Sequence, residues 1–102
     1  MIRVVAIITA KPGRREDLLG HVHKLVPSVL AEHGCVEYQP VVDAAGFGAS
    51  QTKAGPDVYM VIETWADADA LKAHSAAPHM TAFRQATRDI MAGAAVYMLS
   101  PV

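Results

Sequence analysis

Two segments of the chain, residues 2–10 and 57–65, carry apolar side chains at both odd and even positions. Alternate side chains of a β-strand point to opposite faces of its sheet, so this pattern predicts strands that are buried on both faces. The first segment is far shorter than the roughly 20 apolar residues of a membrane-spanning helix. We therefore predict that the two segments are the central strands of a small sheet.

The stretch between these strands predicts a helix, an edge strand and a loop. Apolar residues recur at helical spacing from residue 14 to about 33, Gly34 ends the helix, and Pro27 within it predicts a kink or break. Residues 35–43 are more polar, which suits a strand at the edge of a sheet. The glycine-containing segment 44–56 predicts a flexible flap or an extended hairpin beside a pocket.

Two short helices and a last strand follow the second central strand. Asp67 has the side chain of an N-cap for a short helix, and Pro78 can begin another helix, which Gly93 ends. Residues 94–101 predict the last strand. The order β-α-β-β-α-β predicts a ferredoxin-like α+β fold with an antiparallel four-stranded sheet, in a single domain over residues 1–102.

The helices of this fold cover only one face of the sheet, whereas the predicted central strands are apolar on both. Hydrophobic residues make up 52% of the 102 residues, which is more than a small chain needs for its own core. The uncovered face therefore needs a partner, and the same face of a second copy is the simplest one. We predict a homodimer in which the two sheets pack together.

The charge and the cysteine content indicate which classes of partner and which cellular compartment are compatible with the chain. The formal net charge is −1 with no basic or acidic block, which argues against nucleic acid and anionic membranes as partners. Cys35 is the only cysteine, so neither an intrachain disulfide nor a multi-cysteine zinc site can form. We expect a cytoplasmic protein in a reducing compartment, with Cys35 buried and unreactive.

The corner between the second central strand and the following helices carries most of the candidate functional residues. Glu63 lies near the end of a buried strand, where a carboxylate is costly unless it is paired or protonated. It could act as a base or orient a histidine, or it could bond Arg84 or a residue of a partner chain. Trp65 could stack on a planar substrate or belong to the core or dimer interface. Arg84 could hold an anionic oxygen at a pocket mouth or lie in solvent.

Two histidines follow at the same corner. His74 could act as a general base or proton shuttle, because histidine titrates near neutral pH. Alternatively, His74 and His79 cap or pack at the junction of the two helices. The two are five positions apart across a proline, and no acid in the sequence pattern completes a ligand set, so we predict no metal site.

Several short motifs resemble the signature of antibiotic biosynthesis monooxygenase domains, and the small quinol-monooxygenase-like members most of all. They are the run VYMVIETW at 58–65, Ala70-Leu71, His74, Pro78-His79 and Phe83, together with residues 4–13 and 34–38. The resemblance covers nearly the whole chain apart from the loop at 44–56.

This resemblance implies a dimeric α/β barrel with one pocket per subunit between the helices and the sheet. Oxygenase members of the family use no flavin, haem or metal, and they oxidise small electron-rich aromatics such as quinols or anthrones with O2. By this resemblance we expect no cofactor, with His74 as the general base and Glu63 and His79 as its catalytic partners. The expected substrate-binding residues are Trp65, Arg84, Tyr38 and Phe83.

The chain also departs from some branches of that family. Val61 and Leu71 occupy positions of an asparagine and a tyrosine that help to hold the substrate in the aromatic-polyketide oxygenases. The chain contains no asparagine, which argues against the haem-degrading branch, since that branch needs one beside the iron. An isomerase branch acting on a phosphorylated signalling sugar shares the His and Pro-His pattern, and a non-catalytic ligand-binding dimer is a further alternative.

Overall fold

The computed structural model describes all 102 residues of the chain. Four strands and three α-helices follow one another along the sequence. They are β1 (Ile2–Ala10), α1 (Arg15–Leu30), β2 (Cys35–Val41), β3 (Val58–Trp65), α2 (Ala68–Ala76), α3 (Pro78–Thr87) and β4 (Met91–Leu99), with one 3₁₀ turn at Gly48–Ser50. None of the helices combines the length and the apolar composition that a membrane span requires.

The four strands form one antiparallel sheet in the order β2-β3-β1-β4. β1 and β3 are thus the central strands, as their two-sided apolar patterns predict. In this register Ala6 of β1 pairs with Val61 on one side and with Val96 on the other. The sheet and the element order confirm the ferredoxin-like α+β fold, in which α2 and α3 together form the second helical segment.

The helices lie against one side of the sheet, which we call the covered face. Alternate residues of the central strands point into it, and the apolar stripe of α1 packs over them. Burying one such valine or leucine side chain stabilises the fold by about 1.5–3 kcal/mol. The residues on the covered face of β1 and β3 are Val4, Ala6, Ile8, Tyr59, Val61, Glu63 and Trp65, and those of the α1 stripe are Leu18, Val22, Leu25 and Val29.

The opposite side of the sheet, which we call the open face, has no helix over it. Its residues in the central strands include Val5, Ile7, Met60 and Ile62, which are only half-buried. Tyr97 and Leu99 extend this surface onto β4 and are 53% and 44% exposed. The prediction of an apolar sheet face left bare by the helices is confirmed, and its cover by a second copy stays a prediction.

Helix α1 ends at Leu30 and not near residue 33, so Gly34 lies in the turn that follows and does not itself end the helix. Two further predictions for the helices also differ from the structure. Helix α1 is not broken at Pro27, because proline removes only one donor there and the Ala31 amide still donates to the Pro27 carbonyl at 3.2 Å. Gly93 does not end a helix. Helix α3 ends at Thr87, and Gly93 lies within β4 because pairing with β1 has already begun before it.

The turn after α1 brings the chain close to α2. Gly34 has a φ of +82°, and a Cβ atom there would lie 2.5 Å from the Cβ of Ala70, so the approach requires glycine. The Ala66 amide donates to the Gly34 carbonyl at 2.8 Å. Asp67 caps α2 as predicted, since its carboxylate accepts from the Ala70 amide at 2.8 Å. Glu32, two residues before Gly34, is thereby placed next to α2.

The loop between β2 and β3 is fixed at its base by a carboxylate. Asp43 accepts hydrogen bonds from the amides of Ala54 and Gly55, both at 2.9 Å, and these bonds lower the pKa of Asp43. Residues of the segment 44–56 line an open depression of about 330 Å³, but none of them lines the cavity between the sheet and helices α2 and α3. The segment therefore lies beside a depression, as predicted, and its role as a flap stays a prediction.

Candidate functional site

A cavity of about 280 Å³ lies between the covered face and helices α2 and α3. Its walls are mainly apolar, and Tyr59, Val61, Met80 and Phe83 are among the residues that form them. The other large depressions on the surface are more open and have fewer apolar walls. A mainly apolar cavity with a few converging polar groups is typical of a site for a small molecule.

The cavity opens on the side of β4. Ala94, Val96 and Met98 line it from this edge strand, but Val96 and Met98 remain 51% and 63% exposed because no helix packs closely over β4. A ligand can therefore enter here without displacing a helix or a loop.

His74 is the central polar group of the cavity wall. It comes from α2, is only 5% exposed, and its ring centroid lies 4.6 Å from that of Trp65 and 5.7 Å from that of Tyr38. Its Nδ1 atom is 2.8 Å from Oε2 of Glu32. A carboxylate only accepts hydrogen bonds, so Nδ1 carries a proton here, and in the neutral form of the ring Nε2 carries the lone pair.

The second nitrogen of His74 remains available. Nε2 has no hydrogen-bond partner in the protein, and Arg15 Nε is the only fully buried side-chain nitrogen or oxygen that lacks one. The Nε2 atom of His74 is therefore still accessible, although the ring as a whole is buried. A histidine held in this tautomer by a carboxylate is arranged to accept a proton at Nε2.

Glu32 also binds the second histidine of the predicted pair. Nε2 of His79 lies 2.8 Å from the same Oε2 atom that His74 contacts. The expectation that no acid joins the two histidines is wrong, because Glu32 does. Glu32 lies 42 residues before His74, in the turn after α1, and no spacing rule in the sequence relates such distant residues.

Glu63 is buried next to this cluster. It is 5% exposed, and its Oε1 accepts a hydrogen bond from Nε1 of Trp65 at 2.9 Å. Burial raises the pKa of Glu63, and the Trp65 bond and the nearby His74 only partly oppose this rise. Glu63 does not pair with Arg84, whose guanidinium instead donates to the Ser75 carbonyl at 2.8 Å.

The tyrosines of the covered face are neutral hydroxyl groups. Burial raises the phenol pKa of both Tyr38 and Tyr59 far above neutral pH. For Tyr38, the negative charge of Glu63 raises it further. Tyr38 lines the cavity beside His74, where its hydroxyl can donate a hydrogen bond but does not serve as a base.

The structure divides the predicted site residues into two groups. His74, Glu63, Tyr38, Phe83 and Arg84 all line the cavity. Trp65 and His79 do not. Trp65 has no exposed surface and packs on His74 instead of facing a substrate, and His79 contacts the far side of the cluster through Glu32.

Cys35 lies outside this site and is half-buried, not buried as expected. Burial raises the pKa of its thiol, and the carboxylates of Glu32 and Glu63 raise it further. A raised thiol pKa leaves little reactive thiolate.

Comparison with known proteins places the chain in a family. The family model described as "Antibiotic biosynthesis monooxygenase" matches residues 1–86. The chain belongs to the antibiotic biosynthesis monooxygenase family. A protein of Escherichia coli K12 named "Probable quinol monooxygenase YgiN" is 37% identical over 103 aligned residues, which cover 99% of this chain and 98% of that protein. The resemblance inferred from the motifs is thus confirmed, and it supports monooxygenase activity.

Solved structures show the same fold. PA3566 from Pseudomonas aeruginosa superposes with a TM-score of 0.81 at 26% identity, covering 99% of this chain and 93% of the other. Rv0793 from Mycobacterium tuberculosis gives a TM-score of 0.80 at 22% identity, covering 99% and 94%. The backbone arrangement around the cavity is therefore a property of the fold and not of one sequence.

Proposed function

We propose that the protein is a cofactor-independent monooxygenase that oxidises small electron-rich aromatics, of the quinol or anthrone type, with O2. One observation carries the proposal. His74 is buried at a mainly apolar cavity, Glu32 holds its Nδ1, and its Nε2 remains accessible. Membership of a monooxygenase family and the 37% identity to YgiN support the oxidative class of reaction.

The proposed reaction starts with a proton transfer to His74. Nε2 takes the proton of a phenolic hydroxyl, and the resulting ring anion passes one electron to O2. The ring radical and superoxide then combine to form a carbon–oxygen bond, and the proton held by His74 completes a hydroperoxide. The oxygenated carbon still carries a hydrogen, so its C–H bond and the O–O bond both break as water leaves, and a carbonyl forms. One oxygen atom of O2 therefore enters the product and the other becomes water. O2 is the only oxidant required.

The cavity walls suit this chemistry. A mainly apolar site excludes water from the anion and from the reduced oxygen species, which would otherwise be quenched. The neutral Tyr38 hydroxyl can donate to a developing oxyanion, and Arg84 offers positive charge at the exposed side. Phe83 and Tyr59 provide aromatic surface for a flat ring.

Trp65 has a positioning role in this proposal. Its indole is fully buried, contacts the His74 ring and donates to Glu63. It therefore limits the orientations open to both side chains, whereas the substrate contacts fall to residues that line the cavity.

The proposal includes a homodimer formed through the open face. Val5, Ile7, Met60 and Ile62 form an apolar surface that no helix covers, and the same surface of a second copy is complementary to it by symmetry. Analytical ultracentrifugation at micromolar concentration tests this directly. A sedimentation coefficient of a single well-folded chain would contradict the dimer.

An oxygen-labelling assay tests the oxidative reaction. Chelator-treated protein is mixed with a hydroquinone or naphthohydroquinone under ¹⁸O2, with autoxidation measured in parallel without protein. We expect enzyme-dependent O2 uptake and one labelled oxygen atom per product molecule. Turnover of a ligand without O2 uptake would instead favour a non-oxidative isomerase of the same fold, and absence of turnover would favour a ligand-binding module.

A further inference from the structure

Behind the cavity wall, three side chains converge on one point. The ligand atoms of Glu32, His74 and His79 all lie within 4.8 Å of one another. Both imidazole nitrogens are already 2.8 Å from the same carboxylate oxygen. Two histidines and one carboxylate are a recurrent ligand set for zinc and other divalent transition metals.

We propose that Glu32, His74 and His79 bind a divalent transition-metal ion, which competes with the base function of His74. Tetrahedral coordination with bonds of about 2.0–2.1 Å separates neighbouring ligand atoms by about 3.3 Å. Oε2 of Glu32 would therefore retreat by about half an ångström from each nitrogen. The two imidazole nitrogens, which lie within 4.8 Å of each other, would approach to about 3.3 Å, and the side-chain torsions of Glu32 and of the partly exposed His79 can supply these movements.

The surroundings favour a cation at this point. Glu32 also lines an open depression of about 440 Å³ together with His33, Asp67 and Asp69, so the cluster can be reached from solvent along an acidic surface. Trp65 and Tyr38 pack against the His74 ring and restrict its orientation, as a metal ligand requires.

The site lies outside the catalytic cavity. His74 lines the cavity, but neither Glu32 nor His79 does, so the ion would bind on the far side of the imidazole. A metal bound at Nδ1 of neutral His74 requires the ring proton to move to Nε2. Nε2 could then no longer accept a proton from a substrate. The inhibitory part of the proposal rests on the proposed function, whereas the binding part does not.

Isothermal titration with ZnCl2 tests the binding. The protein is prepared without a histidine tag and freed of metal with a chelator, then compared with Glu32→Gln, His79→Ala and the control His23→Ala, which changes an exposed histidine of α1. We expect one zinc ion per chain, a loss of affinity of about tenfold or more in the first two variants, and no change in the control. Absence of zinc binding, or equal affinity in all four proteins, would overturn the proposal.

Histidine ¹⁵N NMR of the wild-type protein gives a second measurement that needs no variant. Zinc should move the proton of His74 from Nδ1 to Nε2, and that of His79 from Nε2 to Nδ1. A response confined to His21, His23 or His33 would contradict the site.

Zinc binding and turnover are measured separately, so their failures can be told apart. Zinc binding without quinol oxidation would support the metal site and contradict the proposed function. Quinol oxidation without zinc binding would support the proposed function and contradict the metal site. If both occur, zinc should inhibit the wild-type enzyme in proportion to occupancy of the site, and turnover that persists at saturation would overturn the competition.

Discussion

The two faces of the sheet are both apolar, but they differ in what their residues can do. On the covered face, helices enclose the strand residues, so the polar groups Glu63 and His74 are buried beside apolar side chains and acquire fixed partners. On the open face, Val5, Ile7 and their neighbours are half-buried on a surface without an enclosing layer. A concave, enclosed surface can bind a small molecule next to polar groups of fixed orientation, whereas an uncovered apolar sheet surface suits packing against another sheet.

The largest effect that this comparison predicts is on turnover. Glutamine at position 74 keeps hydrogen-bonding capacity but accepts no proton at neutral pH, so His74→Gln should lower kcat for quinol oxidation by about 100-fold or more. His23→Gln, on the exposed side of α1, is the matched control and should be silent. Steady-state O2 uptake measures the rates of both variants. Comparable rates would show that His74 is not the general base.

The same valine-to-alanine substitution at two adjacent positions compares how much each face contributes to the free energy of unfolding. Val4 points into the covered face and is 1% exposed, while Val5 points into the open face. Val4→Ala should cost about 2 kcal/mol of unfolding free energy at any protein concentration. Val5→Ala should cost less in dilute solution and more as the concentration rises, because a dimer adds burial there. Urea unfolding at two concentrations measures this, and equal, concentration-independent costs would contradict the difference between the faces.

A smaller effect is expected at the helix that carries His74. Asp67→Ala removes the side chain that caps the Ala70 amide and should destabilise the protein by about 1 kcal/mol. Asp69→Ala, which removes an exposed first-turn acid without a capping bond, should cost only a few tenths of a kcal/mol. Thermal unfolding compares the two, and an equal loss would show that the cap does not hold α2 on the covered face.

The smallest expected effect is a stabilisation, whereas the preceding substitutions lower activity or stability. The pKa of Glu63 is raised in the folded protein, so the folded state keeps this proton at pH values where the unfolded chain has lost it. The free energy of unfolding contributed by Glu63 therefore falls as pH rises above the ordinary carboxyl range. Glu63→Gln can still accept from Trp65 and should be more stable than wild type at neutral pH. Melting temperatures from about pH 4 to about pH 8 test this, and a variant less stable at neutral pH would contradict it.

Much of the fold could be predicted from local patterns. The two-sided apolar segments identified β1 and β3 as central strands, and Asp67 marked where α2 begins. These predictions succeeded because side-chain periodicity and backbone preference act over a few residues. The misplaced roles of Pro27 and Gly93 arose where strand pairing or continued hydrogen bonding overrode local preference.

Less of the candidate site could be predicted. Five of the seven predicted site residues line the cavity, but Trp65 lies behind it. The sequence did not predict this, because the place of Trp65 in β3 does not reveal that α2 will cover its side chain. Glu32 was missed altogether. Its importance arises from contacts with His74 and His79, and it lies in a turn with no periodic pattern of its own.

The sequence by itself determined the strand and helix order, the choice of central strands and the presence of two apolar sheet faces, because each of these depends on residues close together in the chain. Only the tertiary structure decided that one carboxylate oxygen would serve two histidines. That contact joins a turn after α1 to α2 and α3, and its geometry follows from how closely Gly34 lets the turn approach Ala70. Contacts between distant segments depend on packing, which no short stretch of the chain encodes alone.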